Sequence, residues 1–136
     1  MFFKKNRDKD EGSHLIKIAA LLIHAAKIDE NYSDQEEDII KKALLKIGAN
    51  KKNIENIIQE AKTMEDNTNQ ILDFTKEVKS MNESDKIRII ETLWQIIYSN
   101  NEADIYETNL MRRLAGLLYI DSKTMGDIKD RVKEKL

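Results

Sequence analysis

The chain has no cysteine, no proline and only four glycines, and 6% of its 136 residues are aromatic. Without cysteine there is no disulfide framework, zinc ribbon, iron–sulfur cluster or thiol nucleophile. Without proline, and with so little glycine, tight hairpins lack their usual turn residues, which argues against an all-β chain. The longest apolar stretch, Ile18 to Ile23, is far too short to span a bilayer. Charge follows charge in Lys4-Lys5-Asn6-Arg7-Asp8-Lys9-Asp10-Glu11, where a secretory signal needs an apolar run. Neither sign of charge dominates: 23 Lys+Arg face 25 Asp+Glu, a net −2. A dedicated nucleic-acid binder carries a basic surplus. The expectation is a cytoplasmic protein without transmembrane segment or nucleic-acid partner.

What is present is charge, at 35%, and a helical period in the apolar 40%. Residues 1–12 read as a flexible N-terminal tail and residues 13–136 as one domain. Leu15, Ile18, Ala19, Leu22, Ile23 and Ala26 form one stripe of a first helix. Ser33, with Glu36 three residues on, is a capping box for a second helix, which Gly48 ends. Asn50 is expected to cap a third helix, with Met64-Glu65-Asp66-Asn67 as a polar break. Thr68 opens a fourth and Asn82 a fifth, which is apolar over a wide arc around Trp94 and therefore central. Trp94 itself reads as core. Asp104 and Glu107 form another capping box for a sixth helix. That helix contains Gly116, whose cost of about 1 kcal/mol relative to Ala predicts a close backbone approach by a neighbour. Asp121 caps a seventh. Seven short helices with short loops imply an all-α bundle.

The two capping boxes are related, since Ser33 to Asp104 and Glu36 to Glu107 are both separated by 71 residues. The same offset maps Asp29 onto Asn100, Ile23 onto Trp94, Lys41-Lys42 onto Arg112-Arg113 and Asn50 onto Asp121. Amphipathic helices share apolar periods without being related, but shared periods do not produce matching loop polars and caps. The predicted architecture is two pseudo-repeated three-helix units, at about 13–63 and 82–133, joined by a connecting helix.

Each unit contains an acidic turn, Asp29-Glu30-Asn31-Tyr32-Ser33-Asp34-Gln35-Glu36 and Asn100-Asn101-Glu102-Ala103-Asp104-Ile105-Tyr106-Glu107. Oxygen side chains at alternate positions, then a Glu one helical turn later, suit hard cations such as Ca²⁺ or Mg²⁺. An EF-hand is excluded: its sixth-position Gly and twelfth-position Glu are Asp34 and Ile40 in one turn, Ile105 and Met111 in the other. The candidate metal ligands are Asp29, Glu36, Asn100, Glu102, Asp104 and Glu107. Capping is the competing role for Glu36, Asp104 and Glu107, and explains Asp29 and Glu102 less well. His14 and His24 lack metal-ligand spacing and read as surface or satisfied half-buried residues. The basic pairs Lys41-Lys42 and Arg112-Arg113 read as solvated helix faces. No Ser/His/Asp elbow, phosphate-binding Gly-rich loop or Walker-type Lys is present.

At these residues the sequence resembles the TerB-like, tellurite-resistance-associated family. The likeness is carried by Ala26-Lys27-Ile28-Asp29 to Glu36, and by Leu93-Trp94 through Asn100 to Glu107, over about residues 13–133. The family pattern has Gly in each turn, where this chain has Glu30 and Asn101. It also has Asp where this chain has Ser33 and Asn100. The resemblance implies an all-helical, non-catalytic binding module of bacterial stress-response systems, with acidic loops that hold a divalent metal. It further implies a protein partner in a membrane-associated stress complex. Related domains open a membrane-anchored J-domain co-chaperone, but this chain has no J-domain motif. A metal-free protein–protein interaction domain and a metal-dependent hydrolase are the alternative readings.

Overall fold

The computed structural model describes residues 2–27, 33–67, 71–99 and 105–135, with side chains from residue 12 onward and, within the sixth helix, from residue 109. The elements are α1 (Phe2–Ala26), α2 (Asp34–Ile47), α3 (Ile54–Asn67), α4 (Leu72–Lys79), α5 (Glu83–Tyr98), α6 (Ile105–Leu117) and α7 (Ser122–Glu134). The described residues are thus all-helical, with seven helices and no strand.

Local chemistry accounts for several helix ends. Ser33 has extended backbone, and its Oγ accepts the Glu36 N–H over 3.2 Å. Asn82 Oδ1 accepts the Asp85 N–H at 2.9 Å to begin α5, and Asp121 Oδ1 accepts the Thr124 N–H at 2.7 Å to begin α7. Each side chain replaces a missing intrahelical acceptor in the first turn. At the other end, Gly48 closes α2 with a φ of 127°.

Three helix boundaries differ from the sequence expectation, and a fourth falls outside the described residues. Helical backbone starts at Phe2, where the sequence predicts a tail through Gly12. Lys4 with Asp8 and Arg7 with Glu11 stand at i, i+4, a spacing that favours helix in a segment free of proline. Asn50 does not cap α3 directly. Its Oδ1 accepts the Lys52 N–H at 3.1 Å in a turn that delivers the chain to Asn53, whose carbonyl accepts the Ile57 N–H. The expected break at 64–67 is helical: His24 of α1 and Lys27 just past it hold Glu65 and Asp66 in the last turn of α3. α4 begins at Leu72; the predicted start at Thr68 lies outside the described residues.

The core is organised around two helices. α5 buries Ile89, Ile90, Leu93, Trp94, Ile96 and Ile97, as its wide apolar arc predicts. α1 is enclosed as well: Ala20, Leu21 and Ala25, off the predicted stripe, are buried with Ile18, Leu22 and Ile23. α1 packs on α3, α4, α5 and α2, and α5 on α7 and α2. The α1–α3 and α5–α7 pairings are equivalent under the 71-residue offset. The second helices have different neighbours, α2 resting on α1, α3 and α5, and α6 on α4. Two tethers run from α5 to other helix ends: Arg88 donates to the Lys46 carbonyl at the end of α2 (2.8 Å), and Lys86 to the Leu118 carbonyl after α6 (3.4 Å). No described helix is long and apolar enough to cross a membrane.

Candidate functional site

Of the six expected cation ligands, Glu36 alone has a described side chain. Asp29, Asn100, Glu102 and Asp104 lie outside the described residues, as does the side chain of Glu107. Glu36 is 2% exposed, and its burial is explained by the cap. Its Oε1 accepts from the Ser33 backbone N–H at 3.1 Å and from the Ser33 hydroxyl at 3.0 Å, while the Glu36 N–H returns a bond to Ser33 Oγ. The capping box is complete. A cation drawing on Glu36 Oε1 competes with both Ser33 donors for that oxygen. Among the described residues no group of three or more His, Cys, Asp or Glu is placed to hold a metal ion.

Just beyond the cap, the exposed face of α2 joins α3 through charge. Glu37 pairs with Lys62 at 2.7 Å and Lys41 with Glu55 at 2.7 Å. The Glu55 carboxylate holds the Lys41 ammonium above its ordinary value. The basic pair at 41–42 is therefore only partly a solvated face.

Two His–Glu–Lys clusters escaped the sequence reading. His14 Nδ1 lies 2.8 Å from Glu77 Oε2, and Lys17 donates to Glu77 Oε1 at 3.0 Å, joining α1 to α4. Ten residues on, His24 Nδ1 lies 3.2 Å from Glu65 Oε1, and Lys27 reaches Glu65 and Asp66 at 2.7 Å each, joining α1 to α3. In each cluster the His and Lys stand at i, i+3, Lys27 one residue past the end of α1, and converge on one carboxylate. The spacing of His and Lys was visible; the distant carboxylates were not. Both histidines are half-buried and partnered, in keeping with the bland reading of them.

A third feature is a groove of about 600 Å³ between α5, α6 and α7. Trp94, Met111, Ile120 and Met125 supply its apolar lining, and Arg112 and Lys129 bring positive charge to it. Gly116 and Gly126 also line it, and a Cβ at either meets no other atom within 4 Å. The expected close helix approach at Gly116 is thus overturned, because that glycine faces open space. Trp94 is core, as expected, at 3% exposure. Its ring stacks on Tyr98 with centroids 5.9 Å apart, and Lys129 Nζ sits 5.3 Å from its centroid. Its Nε1–H is buried without a partner, the one such side-chain atom among the described residues.

A chain whose described residues form seven helices, with a capping box before α2 and an indole deep in α5, can be compared with known families. The family model described as Tellurite resistance protein TerB matches residues 15–130. The chain belongs to the TerB family. No curated protein and no solved structure matches it. Within this TerB chain the matched segment holds the capped start of α2, the cluster of His24, Lys27 and Glu65, and the described groove lining. The serine at position 33 makes the described cap a hydroxyl–carboxylate pair.

Proposed function

We propose that this TerB-family chain is a non-catalytic binding module of a tellurite-resistance-associated stress system, which engages a protein partner and holds a divalent cation in its acidic turns. The observation that carries the reading is the family match over nearly the whole helical domain. The cation part is supported by the donor chemistry of the turns. Asp29, Glu36, Asn100, Glu102, Asp104 and Glu107 are all oxygen donors, suited to Ca²⁺ or Mg²⁺ and not to soft metals. Two units at about 13–63 and 82–133 would present these turns as a related pair, a reading supported by the common offset of 71 residues and the equivalent α1–α3 and α5–α7 pairings.

A metal-free interaction domain is the second reading, and one observation favours it: the Glu36 carboxylate already has a full structural role in the Ser33 cap. Calorimetry with Ca²⁺, Mg²⁺ and Mn²⁺ separates the two. The cation reading predicts saturable binding that Asp29→Ala with Asp104→Ala removes. Absence of heat and of any rise in melting temperature near millimolar cation leaves the metal-free domain.

A further inference from the structure

We propose that the groove between α5, α6 and α7 binds a small carboxylate with an apolar body, of the class of a medium-chain fatty acid. The site is separate from the acidic turns and does not rest on the cation reading. Its volume of about 600 Å³ lies in the range of about 300–1,000 Å³ usual for small-molecule sites. The apolar lining includes Met111 and Met125, whose unbranched side chains adapt to a flexible ligand.

Charge selects an anion. Lys129 Nζ, 5.3 Å from the centroid of the Trp94 ring, is held at the groove wall. Lys129 and Arg112 line the groove, and neither is paired with a carboxylate among the described residues. Among the described lining residues the one carboxylate, Asp121, is committed to the Thr124 N–H as the cap of α7. Two cationic side chains thus border the groove with no carboxylate partner among the described residues, and Arg112 offers the planar fork that suits a carboxylate. The glycines keep the space open, since any side chain at 116 or 126 would project where no atom now lies.

The chain has a single tryptophan, so its emission reports this site alone. Decanoate, below its micellar concentration, is expected to change Trp94 emission saturably, with calorimetry as the second readout. Decanol, equal in length and uncharged, is expected to bind about tenfold more weakly, the loss of charge-assisted hydrogen bonds. Lys129→Gln and Arg112→Gln should each weaken decanoate about three- to tenfold and leave decanol unchanged. Gly126→Leu should abolish binding of both with the helical circular dichroism intact; if that variant does not fold, Gly116→Leu makes the same test. No saturable binding of decanoate by either readout, equal affinity for decanol, or undiminished affinity in Lys129→Gln would each overturn the assignment.

Discussion

Gly48 and Tyr119 stand 71 residues apart, and each ends its helix with positive φ, 127° for Gly48 and 57° for Tyr119. The closing bonds correspond too. Ala49 N–H donates to the Leu44 carbonyl and Ile120 N–H to the Ala115 carbonyl, both over 2.9 Å. Glycine adopts such a backbone without a Cβ penalty, and tyrosine does not. Tyr119 is 74% exposed, with Lys79 Nζ 4.3 Å from its ring centroid. Gly48→Ala is therefore expected to cost about 1 kcal/mol, while Tyr119→Gly should raise the melting temperature. Urea and thermal unfolding check both, and an unchanged Gly48→Ala midpoint would contradict the described backbone.

Leu21 separates the packing from the simple stripe reading. A single-faced α1 leaves this residue outside the core, yet it is 0% exposed. Leu21→Ala should cost about 2–5 kcal/mol, the range for a buried leucine. Chemical denaturation measures it. A loss under about 0.5 kcal/mol, as at a surface position, would restore the one-faced helix.

The features legible in the sequence are those decided within a few residues. Ser33, Asn82 and Asp121 cap their helices as read, because a cap needs only a side-chain oxygen and an N–H three residues on. The central place of α5 was legible in its apolar arc. The full burial of α1 was not, since Ala20 and Ala25 are small enough to suit either face. The length of α3 depends on His24 and Lys27, some 40 positions earlier in the chain, reaching Glu65 and Asp66. No local pattern predicts that contact. Asn50 was misread because an Asx turn and a helix cap begin with the same residue types. The groove was hidden because Gly116 and Gly126 mean open space only once three helices are placed around them. Of the candidate cation ligands, the sequence spacing supplies the set, and the structure speaks only to Glu36.

Acid stability should depend on Glu77. The hydrogen bond with His14, then that with Lys17, holds its carboxyl below the ordinary value of 4.5, against burial, which acts the other way. A carboxyl with a depressed folded value contributes stability that is present above 4.5 and is lost as pH falls through the folded value. Glu77→Gln should be less stable than the parent near neutrality and should converge with it in acid. Urea midpoints between about pH 6 and pH 3 check the convergence. A constant gap across that range would assign the loss to packing.

The Ser33–Glu36 cap tests which role the first acidic turn plays. Ser33→Ala should cost about 1 kcal/mol, as at other N-caps. Glu36→Gln keeps an oxygen acceptor for Ser33 and loses the favourable charge near the helix start, worth about 0.5 kcal/mol. If Glu36 is a ligand as well, Glu36→Gln should lower cation affinity about tenfold while stability barely moves, since a neutral amide oxygen is a poorer partner for a hard cation. Equal cation affinity in parent and variant assigns Glu36 to the cap alone.

The central claim, a binding module whose acidic turns hold a divalent cation, is tested most directly by a two-dimensional ¹H–¹⁵N NMR titration with Ca²⁺ and Mg²⁺. The account predicts saturable shifts concentrated at amides 29–36 and 100–107, lost together in the Asp29→Ala, Asp104→Ala double variant. A spectrum unmoved by either ion, or small shifts scattered over the charged surface and unchanged in that variant, would contradict it.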